Sequence, residues 1–137
     1  MSVRVAINGF GRTGRAAFRA AYERETDIDW VAINDVADPH LIAQLLKHDT
    51  VYGPFDHAVE VCDSAIVVDG HRIETPCRPD PSQLAWNELG VDVVIEATGR
   101  FRTRADAAKH LKAGVSIRCP STTIAVSHTS TAWLNGP

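Results

Sequence analysis

Ile7–Gly14 reads INGFGRTG, with glycines at positions 9, 11 and 14 directly behind the apolar run Val3–Ile7. Glycine weakens regular structure, so three in eight residues point to a backbone that turns tightly and admits a close neighbour. The spacing G-x-G-x-x-G alone also fits a plain structural turn. Here it closes a strand pattern and opens a helix pattern, and Asp35 follows Gly14 by about 21 residues at the end of a second strand. That context is the fingerprint of a dinucleotide site. Gly9 makes the turn, Gly11 lets a pyrophosphate approach the backbone, and Gly14 lets helix and strand pack. The amides around Arg12 and Thr13 then face the phosphates with the helix dipole behind them. A carboxylate at Asp35 suits the free ribose hydroxyls of NAD and repels a 2′-phosphate, so NAD is expected over NADP. The plainer alternative is that Asp35 caps the loop that follows it.

Outward from this loop, Val3–Asn8 and Asp29–Asn34 read as buried strands. Arg12–Arg24 is helical by the spacing of Ala17, Phe18, Ala21 and Tyr22. Asp38-Pro39 opens a second helix, with Ile42, Leu45 and Leu46 as its apolar face. Short runs around Ser64 and Asp69-Gly70 predict antiparallel hairpins. Asp80–Leu89 reads as a short helix, Val91–Gly99 as a strand, and Thr103–Ala113 as a helix opened by Thr103 and Asp106 and closed by Gly114. The alternation predicts an α/β fold, a mostly parallel sheet covered by helices.

Composition is that of one soluble domain. The chain has 137 residues, 45% apolar and 23% charged, with a net charge of −3. That charge argues against nucleic acid, and no stretch has the length or apolarity of a membrane span. No secretory leader is recognisable, and Cys62, Cys77 and Cys119 have the unpaired spacing of reduced cytoplasmic thiols. The six histidines lack ligand spacing, so no metal is expected. Arg100, Arg102 and Arg104 read as a solvated face, with an anion or RNA contact as the sharper alternative. Trp30, Trp86 and Trp133 read as packing or surface residues.

Taken together, VRVAINGFGRTGR, VAINDVAD, LLKHDTVYGPF, DPSQLAWNELGVDVVIEATGRF and TRADAAKHLKAG resemble, from Met1 to Gly114, the N-terminal half of the NAD-binding domain of the glyceraldehyde-3-phosphate dehydrogenase family. The related erythrose-4-phosphate dehydrogenases share most of these motifs. The resemblance implies a Rossmann-like, doubly wound sheet, incomplete here, with a small antiparallel hairpin insertion. It also implies NAD as cofactor and a glycolytic, cytoplasmic oxidoreductase that is a homo-oligomer at full length. Asn8, Gly9, Phe10, Gly11, Arg12, Thr13 and Gly14 match the family's pyrophosphate loop, which usually carries Ile at the position of Thr13. Asn34 and Asp35 match its adenosine-ribose site. Thr98, Gly99 and Phe101 match a segment lying along the nucleotide, although Phe101 fits core packing equally well.

Two departures limit the resemblance. Where the family has Glu-Arg-Asp-Pro before the short helix, this chain has Arg78-Pro79-Asp80-Pro81, so the arginine contact on the adenine side is in doubt unless Arg78 replaces it. After Gly114 the resemblance stops. Residues 115–137 are rich in Ser and Thr, contain no acid, and include neither the family's S-C-T-T-N nucleophile nor its substrate residues. Cys119, in RCPSTT, does not match that motif. The expectation is a divergent tail foreign to the fold, from a truncated or frame-shifted gene or, more rarely, a fusion. The chain alone is then catalytically inert, a module binding NAD or an adenine nucleotide. Arg118 and Pro120 interrupt the next strand pattern, so Val91–Thr98 is expected to lack an outer neighbour and the chain to self-associate.

Overall fold

The chain is described by a computed structural model covering residues 2–24, 27–80, 83–100, 105, 116–118 and 125–126. Strand β1 (Val3–Asn8) runs through the glycine loop into helix α1 (Arg12–Glu23), and β2 (Ile28–Asn34) leads to α2 (Pro39–Lys47). The Asp38 carboxylate accepts the Leu41 N–H at 3.0 Å and Pro39 takes the first helical position, where no amide is required. A two-stranded pair follows, β3 (His48–Asp49) with β4 (Gly53–Pro54). Then comes an antiparallel meander of β5 (Val59–Cys62), β6 (Ala65–Val68) and β7 (His71–Glu74). The turn between β6 and β7 is Asp69-Gly70, both at positive φ (50° and 82°), the backbone that twists in step with a two-residue hairpin. The chain returns through β8 (Val93–Glu96), β9 (Ser116–Arg118) and β10 (Ala125–Val126).

Among the described residues the main sheet has the order β10-β9-β8-β1-β2-β7-β6-β5. Its centre, β9-β8-β1-β2-β7, is parallel. The chain steps from β1 to β2 on one side and returns to β8 on the other, so a topological switch point lies at the carboxyl ends of β1 and β8.

Both faces of the sheet are covered. Val5 and Ile7 of β1 join Trp30, Ile33, Phe18, Ile42 and Leu46 under the two helices. Ala6 joins Ala32, Val94, Leu84 and Trp86 on the opposite face. Strict alternation does not allow both Trp30 and Ile33 on the first face. A bulge in β2 resolves this: Trp30 pairs with Val5 and Ala32 with Ala6, and Val31 is the extra residue between them.

The structure corrects two expectations. Residues 83–90 contain no α-helix: Gln83 lies in a 3-10 turn and residues 86–90 form turns, with Leu89 N–H bonded to Ala85 O and Val91 N–H to Trp86 O. Burying Trp86 decides the path of this segment. In addition, β8 has an outer neighbour: Val93, Val94 and Ile95 pair in parallel with Ser116, Ile117 and Arg118. Pro120 falls beyond the last residue of β9, so it removes no donor from that ladder. The helix expected over Thr103–Ala113 lies outside the described residues apart from Ala105, as do Phe101, Cys119 and Trp133.

Candidate functional site

The carboxyl ends of β1, β2 and β8 converge on a cavity of about 190 Å³ lined by Asn8, Gly9, Gly11, Asn34, Asp35, Val36, Arg78, Pro79, Ala97, Thr98 and Arg100. The glycine loop forms its floor, and each glycine has a separate reason. Gly9 sits at φ +93°, and a Cβ there would lie 2.6 Å from the Thr98 amide nitrogen, so only glycine lets the loop pass under the end of β8. A Cβ on Gly14 would overlap the carbonyl oxygen of Gly9, so Gly14 sets the contact between helix and loop. Gly11 differs: a Cβ there meets nothing within 4 Å, because the backbone faces the open cavity. As N-cap of α1, Gly11 supplies no side-chain acceptor to the first helical amides, and the first turn carries no acid. Those donors are available to an anion. Arg15 holds the loop from behind, donating from Nη1 to Phe10 O at 3.1 Å.

Asp35 closes the opposite wall. Its Oδ2 accepts the Phe10 N–H at 2.6 Å and its Oδ1 accepts the Ala37 N–H at 3.1 Å. It therefore caps the loop after β2, as the plainer reading has it, and it also lines the cavity. A carboxylate has about four acceptor positions, so two backbone donors leave capacity for ribose hydroxyls.

Of the residues expected from sequence, Asn8, Gly9, Gly11, Asn34, Asp35, Arg78 and Thr98 line the cavity. Phe10 contributes its backbone, while its ring packs edge-on against Phe18 in the core. Arg12 and Thr13 are exposed on the first turn of α1, Gly14 is buried beneath it, and Gly99 is exposed beyond the lining. Phe101 is outside the described residues. Arg78 is exposed, and its backbone is clamped by the Asn34 side chain, Arg78 N–H to Oδ1 and Nδ2 to Arg78 O, each at 2.7 Å.

The sequence reading missed Val36, Pro79, Ala97 and Arg100 as lining, and it missed Glu96 altogether. Glu96 is almost fully buried at the end of β8. Its Oε1 accepts the Thr98 N–H at 3.0 Å and the Thr98 hydroxyl at 2.7 Å, and its Oε2 accepts the Asn8 amide at 2.7 Å. An acid closing an otherwise apolar strand was the available signal.

The profile of the family described as "Glyceraldehyde 3-phosphate dehydrogenase, NAD binding domain" matches residues 3–104. The chain belongs to this family. It is 53% identical over 114 residues to glyceraldehyde-3-phosphate dehydrogenase of Geobacillus stearothermophilus, an alignment covering 83% of this chain and 34% of that protein. It is 53% identical over 112 residues to the Thermotoga maritima enzyme, covering 81% and 34%. With glyceraldehyde-3-phosphate dehydrogenase A of Escherichia coli K12 the identity is 51% over 114 residues, covering 83% and 34%. The chain thus spans about a third of the length of the curated relatives it matches. The family's cofactor, NAD, fits the groups present: an open cradle at Gly11, unpaired helix amides beside it, and an acid across the cavity. Among the described residues there is no cluster of His, Cys, Asp or Glu able to hold a metal ion, and no helix is long and apolar enough to cross a membrane.

Proposed function

We propose that this chain is a nucleotide-binding unit of a phosphorylating glyceraldehyde-3-phosphate dehydrogenase. In this reading the pyrophosphate of NAD lies over Gly11 and the first amides of α1, at Arg12 and Thr13. Its adenosine ribose bonds to Asp35, with Asn34 and Arg78 shaping the adenine side and Thr98 and Gly99 lying along the nucleotide. One observation carries the reading: Gly11 faces an open cavity whose far wall is a carboxylate held in place by the glycine loop itself. When bound, NAD supplies the hydride acceptor; the chain's part is to orient it. Titration calorimetry with NAD and NADP tests the assignment. NAD is expected to bind at least about tenfold (~1.4 kcal/mol) more tightly, and equal affinities overturn the role of Asp35.

The aldehyde chemistry is assigned to groups outside these 137 residues. Oxidation to an acyl phosphate begins with a thiolate adding to the aldehyde, and the S-C-T-T-N segment does not occur in the sequence. The residues as given are therefore a binding module without turnover, acting in the cytoplasm. The exposed free thiols Cys62 and Cys77 agree with a reducing compartment. Phosphate-dependent NADH formation that survives Cys119→Ser overturns this part.

A further inference from the structure

Asn8, Asn34 and Glu96 are register partners at the ends of three adjacent parallel strands. All three are buried, and all point to the face opposite α1 and α2. Their hydrogen bonds form a directed chain. The Asn8 amide donates to Glu96 Oε2 at 2.7 Å, the Asn34 amide donates to Asn8 Oδ1 at 2.8 Å, and Asn34 then takes both backbone groups of Arg78, at the cavity. An asparagine side chain can turn over and exchange donor for acceptor, but an ionised carboxylate only accepts. Glu96 also accepts two donors from Thr98, on the other wall of the cavity.

We propose that Glu96 is a positioning residue whose accept-only carboxylate sets the polarity of this relay, and through it holds the Thr98 and Arg78 walls of the nucleotide cavity in register. With Glu96 ionised, Asn8 must present its amide to β8 and its oxygen to Asn34. Asn34 must then present its amide to Asn8, which leaves its oxygen for the Arg78 N–H. A neutral amide at position 96 sets a donor either against the Asn8 amide or, turned over, against the Thr98 N–H. Relief by turning over Asn8 passes the conflict to Asn34, and turning over Asn34 sets a donor against the Arg78 N–H. The defect falls on the Thr98 wall or on the Arg78 wall, whichever way the amides turn.

The test is a charge exchange. Glu96→Gln breaks the polarity. The double variant combines Asn8→Asp with Glu96→Gln. Its carboxylate at position 8 accepts from the new amide at position 96 and from Asn34. The amide oxygen at position 96 still accepts from Thr98, so each contact of the relay from Thr98 to Arg78 again sets a donor against an acceptor. Two measurements are made on the wild type, both single variants and the double variant: NAD affinity, and NMR hydrogen exchange of the Asn34 side-chain amide and the Thr98 backbone amide in the ligand-free chain. Glu96→Gln is expected to lose at least tenfold in NAD affinity (about 1.4 kcal/mol) and to lose protection at Asn34 or at Thr98. Asn8→Asp, which opposes two buried carboxylates, is expected to fare worse. The double variant is expected to recover affinity to within about threefold (roughly 0.65 kcal/mol) together with protection. The affinity arm rests on the NAD reading and the exchange arm does not. A wild type that shows the exchange pattern without binding NAD therefore refutes the NAD reading and leaves the relay standing. If Glu96→Gln does not fold, a double variant that folds with Asn34 protected supports the relay. A Glu96→Gln protein like the wild type, or a double variant no better than Glu96→Gln, overturns it.

Discussion

Three glycines within six positions do unlike work, and substitution separates them. Gly14→Ala forces a methyl group into the carbonyl of Gly9, a backbone atom that cannot move aside without shifting the loop. It should lower stability by about 1–3 kcal/mol, read as a reduced urea midpoint. Gly11→Ala puts the same methyl into open space at a φ of −77°, which any residue adopts. Its stability should stay within about 0.5 kcal/mol of wild type, while NAD affinity falls about tenfold (1.4 kcal/mol) because the methyl occupies the phosphate's approach. The spacing of the glycines was enough to read the turn at Gly9 and the close packing at Gly14. Arg19 was not legible in the same way. A charged residue in a helix is expected at the surface, yet Arg19 is buried beside Phe55 and donates to the carbonyls of Gly53 and Pro54, at 2.9 Å each. Those acceptors lie more than thirty residues along the chain, so no local pattern announces them.

At the scale of elements, the hairpin turn at Asp69 carries a pH dependence. The Asp69 carboxylate accepts from the His57 ring at 2.6 Å, from the Ala58 N–H at 3.0 Å and from the Tyr22 hydroxyl at 3.3 Å. The His57 bond above all holds its pKa below the ordinary carboxylate value. A lowered native pKa means the unfolded chain takes up the proton first as pH falls. The contribution is therefore complete above the unfolded value of about 3.9 and disappears as pH drops through the native one. Asp69→Asn, which tolerates the same positive φ, should flatten that acid limb in melts recorded between about pH 5 and pH 2. Asp49, lowered by the Tyr52 and Val51 amides, should go on titrating in the variant. The β6–β7 hairpin could be read in advance because Asp-Gly has few other uses between alternating runs. Residues 83–90 misled because Leu84, Trp86 and Leu89 are apolar for the sake of one buried cluster rather than a helical stripe.

The sheet order decides what the whole molecule can hold. The described lining is Asn34, Asp35, Val36, Arg78 and Pro79 on the β2 side of the switch point and Ala97, Thr98 and Arg100 on the β8 side. A cavity of about 190 Å³ is smaller than the roughly 300–1,000 Å³ usual for a whole ligand of drug size. ADP-ribose should therefore bind this chain within about tenfold (1.4 kcal/mol) of NAD, measured by competition calorimetry. A hundredfold preference for NAD would mean that the nicotinamide half has walls as well. The parallel centre was legible from alternating strand and helix patterns. The pairing of β9 was not, because three backbone-paired residues need no apolar signature of their own. With β9 in place, β8 offers no open edge to drive aggregation.

The bulge in β2 also acts on the length of the chain. Val31 has no partner in the β1 ladder, whereas Trp30 faces Val5 and Ala32 faces Ala6. A chain lacking Val31 can keep both pairings and continue as an ordinary strand. A chain with one residue added between Ile33 and Asn34 must instead turn Asn34 out of its row and carry Asp35 away from the Phe10 amide. Single-residue insertions and deletions scanned across Ile28–Asn34 should therefore be tolerated at Val31 and Ala32 and rejected after Ile33. This strand has slack upstream of its working end and none at it.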